Sequence, residues 1–207
     1  STREGGHFAE ALKNDPVPAV QVDRLTDGFD SDAVLVDNAT GTYRAIHHLL
    51  KRGHTRFGFI GGDLQITPAR ERYEGFISAL QDFSIELPER NLRFGDFHVE
   101  SGYSLIRELL EQPDPPQSIF ISNYFMHIGA VRYVVEHRGR LDPNLFLASF
   151  DDMELSSVTG IPSLTIAQPV SQIGEEAAKL LLRRIDGKET GEAQTKRLST
   201  KLVFHDS

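Results

Sequence analysis

Polar side chains able to bind a small molecule recur at the ends of the apolar, strand-like runs of this 207-residue sequence. We predict strands at 18–23, 56–61, 91–96, 118–122, 145–150 and 163–168. The polar or aromatic residues at or after their ends are Asp23 and Arg24, Asp63 with Arg70 and Arg72, Asp96 and Phe97, Asn123, and Asp151 with Asp152. Carboxylates, an amide, guanidinium groups and an aromatic ring suit a polyol, a sugar or a nucleoside-like molecule.

Helical patterns separate most of these runs. The clearest helix follows the Gly61-Gly62 pair, with Thr67 as the expected N-cap and Pro68 in the first turn. Further helices are predicted at 40–53, 123–139 and 170–191. Strands that alternate with helices predict an α/β fold with a parallel sheet, whose ligands bind beyond the carboxyl ends of the strands.

The beginning of the chain fits this scheme less well. Residues 1–16 are polar and helix-like, and no other early run is identified as a parallel neighbour for the strand at 18–23. A parallel strand without neighbours would expose its backbone hydrogen-bonding groups. We therefore expect further strands to precede Ser1 in the natural protein.

Composition limits the classes of function. Lys and Arg total 22 against 30 Asp and Glu, so the net charge of −8 has the wrong sign for a domain that itself grips nucleic acid. Any DNA binding must then belong to another segment. The sequence has no cysteine, no apolar run of the roughly 20 residues that cross a bilayer, and no signal-peptide pattern. We expect a soluble, cytoplasmic protein without membrane contact.

Catalytic interpretations find little support. The pair Gly61-Gly62 lacks the spacing of dinucleotide-binding and phosphate-binding loops. Asp151 and Asp152 have no lysine or hydroxyl residue beside them in a phosphatase arrangement, and no nucleophile elbow accompanies the histidines. We predict no enzyme activity, no metal and no cofactor.

The helix predicted at 123–139 is apolar on nearly every face. Such a helix is either packed on both sides within one subunit or partly buried in a homodimer interface. The residues alone leave both interpretations open.

Five stretches of the sequence, in order, resemble the effector-binding domain of the lac repressor and galactose repressor family. They are VDNATGTYRAIHHLLKRGHTRFGFIGGD, ARERYEGFISAL, GDFHVESGYSLIRELL, SNYFMHIGAVRYVVEHRG and LFLASFDDMELSSVTGIPSLTIAQPVSQIGEEAAKLLLRRIDG. The resemblance covers nearly the whole chain from about Pro18. It implies the fold of periplasmic sugar-binding proteins of type I, with Rossmann-like parallel sheets in two lobes and an incomplete N-terminal lobe. The implied domains are a remnant of the N-terminal lobe (1–39), the C-terminal lobe (40–167), a crossover and helix of the N-terminal lobe (168–197) and a return strand (198–207).

The resemblance also implies a ligand site between the lobes. Arg72 matches the arginine that clamps the ligand, and Phe97 matches an aromatic residue that stacks on it. The remaining implied contacts are Asp23, Asn123, Asp151 and Gln168. The implied ligand is a neutral polyol or related effector, or an anionic corepressor. The family usually has Asn-Asp where this chain has Asn123-Tyr124, which indicates an altered pocket.

In this family the effector controls operator DNA through a helix-turn-helix domain, which these 207 residues do not contain. The region around 124–133 matches the part that the family uses in dimerisation, and the implied interface residues are Tyr124, His127, Ile128 and Val131. A periplasmic sugar-binding component of a transporter is the alternative, because it shares the fold and the type of cleft.

Overall fold

The computed structural model of the protein describes residues 17–26, 28–152 and 159–205. The helix-like pattern at 1–16 lies outside the described residues. The strands are β1 (Val20–Val22), β2 (Asp32–Val36), β3 (Phe57–Gly61), β4 (Leu92–Phe94), β5 (Ser118–Ile121), β6 (Phe146–Phe150), β7 (Ser163–Ala167), β8 (Thr195–Leu198) and β9 (Lys201–His205). The helices are α1 (Asn38–Lys51), α2 (Thr67–Asp82), α3 (Val99–Leu110), α4 (Tyr124–His137) and α5 (Val170–Ile185).

These elements divide between two compact units. The six-stranded unit comprises Asn38–Gln168 and Thr200–Ser207, and the three-stranded unit comprises Ser1–Asp37 and Pro169–Ser199. Among the described residues, no helix is both long enough and apolar enough to cross a membrane.

The sheet of the six-stranded unit has the order β4-β3-β5-β6-β7-β9. All its neighbouring strands are parallel except β9, which runs antiparallel to β7. Because β3 to β7 run the same way, the residues that follow them gather at one edge of the sheet. The α/β prediction with a mainly parallel sheet is confirmed.

Alternate residues of the central strands pack on opposite faces of this sheet. On one face, the Phe59 ring lies 5.1 Å from Phe76 of α2 and 5.8 Å from Phe120, measured between ring centres. On the other face, Ile60 joins a buried cluster with residues of α3 and α4. A sheet covered on both faces explains why its strands read as continuous apolar runs.

The three-stranded unit has the order β1-β2-β8, with all pairs parallel. The expectation that the early strand has no parallel partner is wrong, because β2 pairs with it from Val20 opposite Asp32 onward. Every residue of β2 is buried. Strand β8 is not among the strands predicted from the sequence.

Helix ends differ in detail from the prediction. Pro68 does lie in the first turn of α2, but the N-cap is Ile66 and not Thr67, and no side chain caps this end. Helix α1 begins at Asn38 rather than at Thr40. Gly53 follows its end with φ of +91°, a conformation that glycine adopts readily.

Candidate functional site

The carboxyl edge of the six-stranded sheet carries most of the residues predicted to bind ligand. Phe97 follows β4, Asn123 follows β5, Asp151 follows β6 and Gln168 follows β7. Arg72 lies on α2, the helix that follows β3. The structure therefore places five of the six predicted ligand contacts on this unit, at or near one edge of its sheet.

Arg72 is a charged residue at this edge of the sheet and is only 7% exposed. Its NH1 group donates a hydrogen bond of 2.7 Å to the carbonyl oxygen of Ser122 and lies 4.0 Å from Oδ2 of Asp151. The guanidinium group also lies over the Phe150 ring. A guanidinium group held from several sides presents its donors in a fixed direction, which suits recognition of hydroxyl or carbonyl oxygens.

Asn38 is a member of this site that our sequence reasoning missed. Its Oδ1 atom accepts a hydrogen bond of 2.9 Å from Nε of Arg72, and its Nδ2 atom donates one of 2.9 Å to Glu71. Asn38 follows β2, with one residue between them. Recognition of 32–36 as a strand would have drawn attention to this asparagine.

Phe97 has φ of +67°, in the left-handed region that residues with large side chains seldom adopt. Its ring packs over the backbone of Gly62, where an added Cβ atom would lie 2.0 Å from Cζ of Phe97. The ring also contacts the buried cluster under α3 and α4. The glycine after β3 thus makes room for the aromatic ring after β4.

Asp151 is held at the end of β6 with φ of +72°. Its backbone N–H donates to the carbonyl oxygen of Ile166 over 3.0 Å, and its Oδ1 atom accepts a hydrogen bond from Nε2 of Gln168. Its side chain keeps 23% of its surface exposed. Two predicted ligand contacts, Asp151 and Gln168, therefore bind each other directly.

Asn123 also has a structural role. It is the N-cap of α4, and its Oδ1 atom accepts a hydrogen bond of 3.0 Å from the backbone N–H of Met126. That bond satisfies one of the unpaired N–H groups at the helix start. The following Tyr124 is 36% exposed, so the residue that departs from the family pattern lies at the surface of this unit.

Asp23 belongs to the three-stranded unit and is exposed. Its φ is +69°, and its backbone N–H donates to the carbonyl oxygen of Val34. Among the described residues, the non-glycine positions with positive φ are Asp23, Ser84, Phe97 and Asp151. Three of these four were predicted as ligand contacts, and backbone strain of this kind concentrates at functional sites.

The predicted interface residues on α4 do not share one environment. His127 is 1% exposed and Val131 is 9% exposed, so both are buried inside the six-stranded unit. Burial lowers the pKa of the His127 imidazole to about 4. Ile128 packs partly against the buried cluster, and Tyr124 lies at the surface. His127 and Val131 therefore expose little or no side chain in this unit, and the interface prediction at these residues stays a prediction.

The exposed apolar side chains of α4 are Tyr124, Phe125 and Val135. Tyr124 and Phe125 contact each other edge to face, with ring centres 5.5 Å apart. Arg132 lies between them and Val135 along the helix and forms a two-pronged ion pair with Glu100. Sequence reasoning named Tyr124 but missed Phe125, the more exposed of the two rings.

Comparison with known proteins shows the family to which the chain belongs. Residues 46–207 match the family described as periplasmic binding protein-like domain. The ribose operon repressor of Escherichia coli (strain K12) is 33% identical over 169 residues, which are 82% of this chain and 51% of the repressor. The chain thus spans about half the length of the curated relatives that it matches.

Two solved structures show the same architecture. A LacI family transcriptional regulator from Enterococcus faecium with bound ribose is 29% identical, with a TM-score of 0.78 over 96% of this chain and 73% of that one. A putative transcriptional regulator LacI from Bacillus cereus subsp. cytotoxis NVH 391-98 is 27% identical, with a TM-score of 0.84 over 97% of this chain and 71% of that one. The resemblance stated from the sequence is confirmed, and the chain belongs to the periplasmic binding protein-like domain family in the form found in repressors of the lac and galactose type.

Proposed function

We propose that this chain is the effector-binding part of a ligand-responsive transcriptional regulator. The observation that carries the proposal is the buried Arg72, held by Asn38, Ser122 and Phe150 beside the partly exposed Asp151. An arginine fixed in this way at the carboxyl edge of a parallel sheet fits a ligand-binding role better than a purely structural one.

The ligand in this proposal is a small sugar-like or nucleoside-like molecule. Donors from Arg72 and acceptors from Asp151 match a molecule rich in hydroxyl groups, and the Phe97 ring offers an apolar face to a sugar or a base. Each buried polar group rejects ligands that leave it unpaired, which gives the site its selectivity. We further propose that Asp23 and Gln168 contact the same ligand, and that the two units correspond to the lobes named from the resemblance.

The regulator is favoured over a transporter's sugar-binding protein because the relatives named above are a repressor and two proteins described as transcriptional regulators. In the proposed mechanism, ligand stabilises one arrangement of the whole regulator over another, and the difference in affinity for the two arrangements sets the size of the response. Operator binding belongs to a helix-turn-helix segment of the whole protein. No step of this mechanism requires bond-breaking chemistry.

We also propose that the regulator is a homodimer that uses the exposed face of α4. Tyr124, Phe125 and Val135 form that face, and together they supply aromatic and aliphatic surface of the kind enriched at interfaces. His127 is left out of the proposed interface because its side chain is buried.

The test of ligand binding is a calorimetric titration of the protein with ribose and with a set of nucleosides. We expect at least one of these ligands to bind, and we expect Arg72→Ala to abolish that binding. Arg70→Ala is the matched control, since Arg70 is on the same helix but is exposed and pairs with Glu74 at 3.8 Å. Equal affinity in the Arg72→Ala variant would remove Arg72 from the site.

A further inference from the structure

Asn38 lies at the point of the chain where one unit ends and the other begins. The division falls between Asp37 and Asn38. The backbone N–H of Asp37 donates a hydrogen bond of 2.9 Å to the carbonyl oxygen of Leu198 in β8, so Asp37 is bound into the three-stranded unit. Asn38 begins α1 of the other unit and is 1% exposed.

The Asn38 side chain both accepts and donates a hydrogen bond. Its carbonyl oxygen accepts from Nε of Arg72, while its NH₂ group donates to the Glu71 carboxylate, each over 2.9 Å. A short amide side chain supplies an acceptor and a donor at once. Aspartate at position 38 would set a second carboxylate against Glu71, and alanine would leave Nε of Arg72 without this acceptor.

The backbone beside this pair has little room to adjust. A Cβ atom added at Gly75 of α2 would lie 2.2 Å from the carbonyl oxygen of Ala39 in α1. Gly75 is one helical turn beyond Arg72, and Ala39 is next to Asn38. The two helices are therefore in backbone contact where they carry the pair, so a displacement of Arg72 passes to Asn38 rather than being absorbed by a gap.

We propose that Asn38 is the positioning residue of Arg72 and that it ties ligand occupancy at Arg72 to the chain segment that joins the two units. The inference rests on the proposed function, because it assigns a regulatory role within the same ligand site. A ligand that binds the Arg72 guanidinium group acts on the Asn38 amide through the hydrogen bond between them. Asn38 is in turn covalently joined to Asp37, whose backbone N–H donates a hydrogen bond to Leu198 in β8. Asn38 thus has its effect through Arg72 and through the backbone, without touching ligand itself.

The first measurement needs no ligand. In a ¹H–¹⁵N spectrum of arginine side chains, the buried Nε–H of Arg72 is expected to exchange slowly with solvent. We expect Asn38→Ala to shift this signal and to speed its exchange at least tenfold, and also to speed exchange of the Asp37 backbone amide. The matched control is Asn91→Ala, which removes another buried asparagine whose Nδ2 atom donates to the carbonyl oxygen of Phe57 over 2.9 Å. The control should leave both signals unchanged.

The second measurement is a double-mutant cycle on ribose affinity, measured by calorimetry on the whole chain. Asn38→Ala should weaken binding about tenfold in the wild-type background, the cost of a lost charge-assisted hydrogen bond. In an Arg72→Lys background, which lacks the Nε donor, the same change should cost less than about threefold.

The outcomes separate this inference from the proposed function. An unchanged Arg72 Nε–H signal in Asn38→Ala overturns the positioning role, and an unchanged Asp37 amide overturns the link to the joining segment. Equal losses of ribose affinity in both backgrounds also overturn the positioning role, because they show that Asn38 acts independently of Arg72. If the wild-type chain fails to bind ribose, the proposed function fails for that ligand, while the exchange measurement still decides the role of Asn38.

Discussion

The guanidinium carbon of Arg72 lies 3.7 Å from the centre of the Phe150 ring, and Phe150 is fully buried. A guanidinium group over an aromatic face is stabilised by the negative face of the ring, by about 2 kcal/mol where water is excluded. The last residue of β6 therefore supports the charge of a residue on α2, and the chain places Asp151 directly after that ring.

Phe150→Leu keeps an apolar side chain under Arg72 but removes the aromatic face. We expect the ligand that the wild-type protein binds to lose about tenfold in affinity, and the free energy of unfolding to fall by about 1–3 kcal/mol. Phe120→Leu is the control, since Phe120 is equally buried and packs against Phe59 instead. Denaturant unfolding and calorimetry measure the two effects. If both variants lose ligand affinity equally, the ring under Arg72 has no special part in binding.

Gly62→Ala tests whether ligand binding requires the observed position of the Phe97 ring. An added methyl group would lie 2.0 Å from Cζ of that ring, so the ring must move away from its position. We expect ligand affinity to fall by at least tenfold while the protein remains folded. Gly139→Ala is the control, because an added Cβ atom there has nothing within 4 Å. Retention of full affinity by Gly62→Ala would show that the observed position of Phe97 is not needed by the ligand.

His127 makes the stability of the six-stranded unit depend on pH. Burial lowers its pKa to about 4, whereas in the unfolded chain it is about 6.5. The unfolded state therefore binds more protons between these values, and stability should be full above about pH 6.5 and decrease as pH falls toward 4. The shift corresponds to about 3 kcal/mol at most. The nearby Asp152 opposes the shift, and His205 adds to it.

The pH prediction is checked by urea unfolding at several pH values between 4 and 7. His127→Leu should flatten the dependence without abolishing it, because burial also lowers the pKa of His48 and of His54. His98→Gln is the control, since the His98 side chain is 80% exposed. A His127→Leu profile that parallels the wild type would assign the acid sensitivity to other groups.

Asp32 and Arg184 form an ion pair in the three-stranded unit, with the Arg184 side chain 17% exposed. Both carboxylate oxygens of Asp32 accept from Arg184, over 2.7 and 2.8 Å, and Asp32 is 2% exposed. Hydrogen bonding from Arg184 lowers the pKa of Asp32, so the pair contributes stability at neutral pH that is lost as the carboxylate protonates in acid.

Arg184→Met should destabilise this unit by about 3–5 kcal/mol, because it removes the charged partner of a buried carboxylate and leaves it the backbone N–H of Gln194 as a donor. Hydrogen exchange of the β2 amides at pH 7 measures the change. Arg183→Met is the control, since the Arg183 side chain is 60% exposed and pairs with Glu189. Equal protection of β2 in both variants would contradict the importance of the buried pair.

Phe125→Glu should weaken self-association if the exposed face of α4 is the dimer interface. Phe125 is 55% exposed, and burial of a carboxylate in an apolar interface without a partner is costly. Sedimentation equilibrium over a range of concentrations gives the dissociation constant, which we expect to rise at least a hundredfold. Leu182→Glu on α5, at a position 58% exposed, is the control. A monomeric wild-type protein, or a dimer indifferent to Phe125→Glu, would remove α4 from the interface.

Apolar runs predicted the six strands at 18–23, 56–61, 91–96, 118–122, 145–150 and 163–168, all of which the structure contains. Strand β2 was missed because its five buried residues are followed by α1 after only one residue, without a glycine or proline to mark the boundary. Strand β8 was missed because Thr195–Leu198 is mostly polar and exposed, and so lacks the apolar pattern of a buried strand.

The residues of the candidate site were likewise predicted where their strand was predicted and missed where it was missed. Arg72 and the residues after the predicted strands could be named from sequence, but Asn38 could not, because it follows the strand that was missed. On α4 the apolar pattern covers nearly every face, so it does not tell the buried His127 from the exposed Phe125. Only the orientation of α4 against its sheet shows that His127 is buried and Phe125 is exposed.

The chain passes between the two units three times, after Asp37, after Gln168 and after Ser199. A single proteolytic cut at any one of these positions leaves the units joined by the other two. Since β8 comes between β7 and β9, a continuous gene fragment that encodes all six strands of the larger sheet also encodes α5 and β8 of the smaller one. No choice of two end points in this sequence therefore yields either complete sheet without part of the other.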